Sequence, residues 1–144
     1  MGSTFDPEST YKVGEFLAAE AKLKSSVILL APTCNIQRSP LGGRSFESFS
    51  EDPTLSGEHI VMKFEPRSTL LTAFLPGLLS AAYVNGLQSQ GVAASIKHFV
   101  ANDQEHERTA VDSVLSERAL REIYLYPYAP SGLFMYWIHK RSHL

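Results

Sequence analysis

Gly91-Val92-Ala93-Ala94-Ser95-Ile96-Lys97-His98-Phe99-Val100 is the stretch whose reading decides the fold. A short, mostly apolar run headed by a glycine suits a buried strand better than a helix. After Val100 the pattern breaks into the polar run Ala101-Asn102-Asp103-Gln104-Glu105-His106-Glu107-Arg108. Lys97 and His98 therefore fall where a strand over 92–99 gives way to a loop, the edge of a parallel α/β sheet at which ligands bind. Side chains alternate across a regular strand, so both residues can face one ligand only if the strand end is twisted or bulged. The residues fit a solvated lysine beside a packed histidine equally well.

Working outward, Leu78 to Gln90 reads as a helix, with Leu79, Tyr83 and Leu87 four apart and Gly91 as its stop. Further upstream, Ser26-Val27-Ile28-Leu29-Leu30-Ala31 reads as a buried strand halted by Pro32. Strand, connection with helix, strand is a βαβ unit, expected to be parallel and right-handed. Asp6 can cap a first helix that begins with Pro7 and Glu8 and runs to about Leu23, with Val13, Phe16, Leu17 and Ala21 on one face. Ser116 caps a last helix in which Leu120, Ile123 and Tyr124 share a face, ended by Pro127 and Pro130.

Between the first strand and the second helix, Thr33 to Gly57 shows no sustained period, and Pro40, Gly42, Gly43 and Pro53 interrupt it. Loops of that length are usually functional or disordered. Gly42 and Gly43 allow a tight path ahead of Arg44, whose fork of donors suits a pair of hydroxyls or a carboxylate. A phosphate cradle is the weaker reading, since no Gly-Lys-Ser/Thr ending follows. Salt bridges among Arg44, Glu47, Glu51 and Asp52 that pin the loop are the structural alternative.

Composition narrows the classes. The chain has 144 residues, 44% hydrophobic, enough for one domain with a core. Its 13 Lys and Arg stand against 15 Asp and Glu, for a net charge of −2 and no basic stripe of the kind that binds nucleic acid. Cys34 is the single cysteine, which excludes an internal disulfide and any zinc site built on several thiolates. The opening residues lack the basic start and apolar stretch of a secretory signal, and no run of about 18 apolar residues could cross a membrane.

Two long runs carry a resemblance. The run IQRSPLGGRSFESFSEDPTLSG from Ile36 to Gly57 and the run from Tyr83 to Pro127 that contains KHFVANDQEHER resemble the N-terminal barrel domain of glycoside hydrolase family 3, in its fungal β-glucosidase branch. The resemblance implies an α/β fold, here an incomplete fragment of a (β/α)8 TIM-type barrel with parallel strands. It implies a retaining, cofactor-free enzyme that releases terminal glucose from β-glucosides, cellobiose or short gluco-oligosaccharides. By matching positions, Lys97 and His98 correspond to the family's paired sugar-binding residues, and Arg44 and Arg108 to arginines of the same pocket. Charged donors suit sugar hydroxyls, because their bonds are stronger than neutral ones and can tighten as an oxocarbenium-like transition state forms. Asp103 and Glu105 are expected to bond the loop and orient the basic residues.

The departures from the family carry equal weight. A retaining glycosidase uses two carboxyl groups about 5 to 5.5 Å apart. The family's nucleophilic aspartate lies in a Ser-Asp-Trp-like run downstream, and the acid/base later still. The only Trp here, Trp137, follows Met135-Tyr136, so no catalytic residue maps onto the chain. A complete barrel needs about 250 residues, so a piece of one is expected, with unpaired strand edges. Residues 1–128 are accordingly expected to be a partial family domain, interrupted from Glu58 to Gly77 by a segment the family lacks. An unspliced intron would explain it, since Gly57-Glu58-His59, Leu71-Thr72 and Pro76-Gly77 can be encoded with donor, branch and acceptor sequences. Residues 129–144 have no family resemblance.

The leading expectation is thus a β-glucosidase-type chain that is itself inactive. A non-catalytic sugar-binding fragment or pseudogene product is the runner-up. A metal-dependent hydrolase using His98, Asp103 and His106 has ligand types without a recognisable spacing.

Overall fold

The computed structural model describes residues 1–57 and 79–128. The expected insertion from Glu58 to Gly77, the start of the second helix at Leu78, Pro130 and the tail 129–144 lie outside the described residues.

The first helix, α1, spans Pro7–Leu23 and begins as its sequence dictates: the Asp6 carboxylate accepts from the Glu8 amide at 3.0 Å, with Pro7 in the first turn. Its buried face differs from the expected one. Thr10, Gly14, Ala18 and Ala21 are buried, whereas Phe16 is 72% exposed. The cause is the crossing with α3, Leu79–Ser89. A Cβ on Gly14 would come within 2.4 Å of the Tyr83 carbonyl oxygen, and one on Gly86 within 2.1 Å of that of Tyr11. Two backbones that touch this closely demand the small-residue face of α1, which turns Phe16 aside. On α3 the expected Leu79, Tyr83 and Leu87 are all buried, and Gly91 takes the positive φ of 78° that ends the element.

Two strands pair beside these helices, β1 at Ile28–Leu29 and β2 at Ala93–Ala94, parallel and in register Ile28 to Ala93 and Leu29 to Ala94. The parallel order was expected; the regular ladder is far shorter than the expected strands over 26–31 and 92–99. It continues in altered form. Ala93 donates to the Val27 carbonyl and Ser95 to Leu29, but Lys97 donates to Pro32, so the first strand advances one residue further than the second. That extra residue is a bulge, and it re-aims everything beyond it. Isolated parallel bridges then tie Thr33 to Lys97 on one side and to Ser48 on the other.

The main core joins Ala18, Ala21, Tyr83, Leu87 and Val92, with Leu29, Ala31 and Phe49 against it. Only that face of the first strand is covered among the described residues: on the other, Ile28 is 53% and Leu30 70% exposed. A smaller cluster of Ile36, Ala101 and Tyr124 lies under the strand-end loops. It is closed by α4, Glu117–Ala119, whose Ser116 cap accepts from the Ala119 amide at 3.1 Å, and by the π turn Leu120–Tyr124 that continues it. There Leu125 donates to the Leu120 carbonyl five residues back. The wider turn keeps Leu120 and Tyr124 inward and leaves Ile123 exposed, contrary to the expected shared face. Between Thr33 and Gly57 the loop contains only the four-residue helix α2, Pro53–Ser56, and a 3-10 turn at Ser45–Glu47.

Candidate sugar-binding site

The bulge and the loop place the expected residues together. Lys97 donates from Nζ to Glu47 Oε2 at 2.7 Å, and Arg44 Nε donates to Glu47 Oε1. His98 Nε2 lies 3.6 Å from the same Oε1. Neighbouring Lys97 and His98 thus reach one carboxylate, which strict alternation would forbid; the peptide bond between them is cis, as is Phe99–Val100. Arg44 also extends Nη1 to Glu105 Oε1 at 3.5 Å, and Arg108 Nη1 reaches Glu105 Oε2 at 3.0 Å. Arg44, Lys97, His98 and Arg108 are therefore linked through two carboxylates. Arg44, Lys97 and His98 are largely buried, whereas Arg108 is 58% exposed and stands at the outer margin.

The glycine pair ahead of Arg44 has a role in close approach. A Cβ on Gly42 would meet the Asp103 carbonyl oxygen at 2.8 Å, and one on Gly43 would meet Glu105 Cβ at the same distance. Bare backbone at 42 and 43 lets the Asp103–Glu105 loop lie against the Arg44 loop. The expected salt-bridge network forms only in part: Glu47 belongs to it, while Asp52 caps α2 by accepting from the Thr54 amide and Glu51 is exposed.

Asp103 and Glu105 bond the loop as expected. The Asp103 carboxylate is 4% exposed and accepts from Asn35 Nδ2 and the Tyr124 hydroxyl, each at 2.7 Å, and from Arg38 Nε. Asn35 in turn accepts the Asn102 amide. Asn35 was not singled out from the sequence, although a buried amide directly after a strand end is the residue type that ties two loops together.

A small, open cleft with an enclosed volume of only about 10 Å³ lies among Asn35, Gln37, Arg44, Ser48, His98 and Asp103. Burial and the charges of Arg44 and Lys97 hold the His98 imidazole below its ordinary pKa, against the opposing pull of Glu47 and Glu105. Its Nε2 is buried without a hydrogen-bond partner among the described residues. For Glu47, burial raises the carboxyl pKa, but the hydrogen bonds and charges of Lys97 and Arg44 together outweigh it, and the net shift is downward. The cleft thus offers fixed donors and a neutral imidazole to a polar, uncharged ligand. His98, Asp103 and His106 do not gather into a ligand set, and no cluster of three metal-ligating side chains is found among the described residues.

Fold and cleft together define an α/β chain with a polar, ion-paired cleft at its strand ends. No family model matches the chain. It is 52% identical over 128 residues to the probable β-glucosidase I of Aspergillus clavatus, covering 89% of this chain and 13% of that relative. Among solved structures, it superposes on the Kluyveromyces marxianus β-glucosidase in complex with glucose with a TM-score of 0.73 and 42% identity, over 92% of this chain and 13% of that one. For the Bifidobacterium adolescentis family 3 enzyme the TM-score is 0.70 at 39% identity, over 90% and 16%. Over most of its length the chain is thus similar to β-glucosidases, and it spans about an eighth of the length of the relatives it matches.

Proposed function

We propose that these residues build the basic wall of a β-glucosidase sugar pocket, in which Arg44, Lys97, His98 and Arg108 hold hydroxyls of a β-linked glucose unit. The supporting observation is the convergence of all four, from loops far apart in sequence, on Glu47 and Glu105. The parallel β1–β2 pair with α3 in the connection supports a piece of a (β/α)8 barrel, with the cleft at the strand ends where such barrels bind ligands. On this reading residues 1–128 are a partial domain, 58–77 an insertion and 129–144 a segment without family resemblance. No cofactor takes part.

A retaining cut needs two carboxyl groups placed on either side of the glycosidic bond. Glu47 and Glu105 are committed to cations, which suits them to shaping the pocket and not to attack or proton donation. The 144-residue chain is therefore expected to bind glucose without hydrolysing β-glucosides. Titrating the labelled chain with D-glucose should shift the His98 ring and Lys97 ammonium resonances. Shifts confined to other residues would reject the pocket, and turnover of a chromogenic β-glucoside by the purified chain would reject its inactivity.

A further inference from the structure

We infer that Glu47 is the positioning residue of this pocket: one carboxylate, shared between Arg44 and Lys97, sets the spacing and direction of both cations. The inference deepens the sugar-pocket reading and rests on it for the ligand. It stands on three features of the geometry.

The first is local. Glu47 ends the 3-10 turn Ser45–Glu47, and its amide donates to the Arg44 carbonyl at 3.2 Å, which lays residues 44 and 47 on one side of the turn. The second is the bridge. Each carboxylate oxygen takes a different cation, Oε1 from Arg44 and Oε2 from Lys97, so neither can swing without losing a charge-assisted bond in a mostly buried place. The third is charge. Without Glu47, the guanidinium and the ammonium would face each other beside a buried imidazole, with Glu105 held by Arg44, Arg108 and the Asn102 side-chain amide. Like charges at that range repel strongly when water is scarce.

The bridge also decides what remains for a ligand. It occupies Arg44 Nε and one ammonium hydrogen of Lys97, while Nη1 turns to Glu105. Among the described residues, Arg44 Nη2 and the other ammonium hydrogens are left as donors to a ligand. A glutamine at 47 could accept only through its single oxygen and would set an amide NH2 against the second cation.

The test uses the full 144-residue chain, nitrogen-labelled, with Glu47→Gln and Glu47→Asp variants and with D-glucose as the probe. In the native chain the ion-paired Lys97 ammonium should give a slowly exchanging nitrogen signal. Glu47→Gln should abolish it and weaken glucose binding at least tenfold, while the amide signals of Leu87 and Val92 stay in place. Glu47→Asp should recover part of both. An unchanged Lys97 signal and unchanged glucose affinity in Glu47→Gln overturn the inference. Should Glu47→Gln fail to fold, carbon-detected titration of the Glu47 carboxyl in Lys97→Met decides: its midpoint should climb, and an unmoved midpoint overturns the inference. A native chain that ignores glucose while its Lys97 signal still depends on Glu47 rejects the sugar pocket and upholds the positioning role.

Discussion

Lys97 Nζ lies 2.7 Å from Glu47 Oε2, joining a strand end to a loop turn 50 residues earlier in the chain. Both side chains are mostly buried, so this contact loses less to solvent screening than a surface pair does. Lys97→Ala should therefore weaken glucose binding by about 2 kcal/mol, the scale of a lost hydrogen bond to a charged group. Calorimetric titration with D-glucose checks it, and unchanged affinity rejects Lys97 as a sugar ligand.

Gly86→Ala tests the helix crossing. Alanine favours a helix over glycine by about 1 kcal/mol. Here the added methyl would meet the Tyr11 carbonyl oxygen at 2.1 Å, which neither backbone can relieve without α1 and α3 moving apart. Overpacking of this kind costs about 1 to 3 kcal/mol, so the net effect should be a lowered urea midpoint. A raised midpoint would mean that the helices cross elsewhere.

Acid should destabilise the chain in two steps with the same sign. The folded-state pKa of His98 is depressed below 6.5 by burial and the nearby cations. Its contribution is present above 6.5 and is lost as pH falls through that value toward the folded one. Glu47 is depressed below 4.5, so its contribution is lost in turn as pH falls from there. Urea midpoints measured against pH should show both declines. Glu47→Gln should remove the lower one and depress the His98 pKa further, because Glu47 opposes its depression.

Asp103 and Tyr124 form the second testable pair. Burial, then the hydrogen bond to Asp103 and its charge, push the Tyr124 phenol up to about 12. A phenol that ionises near 10.0 when unfolded and near 12 when folded supplies stability that is intact below 10.0 and lost as pH rises toward 12. In Asp103→Asn the Tyr124 pKa should fall, and stability should drop by about 1 to 3 kcal/mol as Arg38 and Tyr124 lose a charged acceptor. Nuclear magnetic resonance of the Tyr124 ring through the alkaline range measures the first, urea unfolding the second.

Much of this organisation was legible in the residues. The capping of α1, the four-residue spacing on α3, the glycine stop at Gly91 and the parallel pairing all follow from local rules, and the structure has them. What failed depended on partners that no local rule names. Phe16 fits the helical period of α1, yet the glycine contact with α3 selects another face. Ile123 fits a 3.6-residue spacing, yet the helix widens beneath it. At the site, residue types and motif placed Arg44, Lys97, His98 and Arg108 at one edge. The part of Glu47 as the counter-ion shared by Arg44 and Lys97 was hidden, because a surface salt bridge and a buried bridge between cations look the same in a string of letters.

Thr33 carries one last implication. It is tied on one flank to Ser48 and on the other to Lys97, so the long loop is laced into the sheet as though it were a neighbouring strand. The turn that carries Arg44 and Glu47 is thereby anchored, through Ser48, beside the strand end that carries Lys97. A sugar seated there would find its contacts already spaced, and its binding would spend little on folding a loop around it.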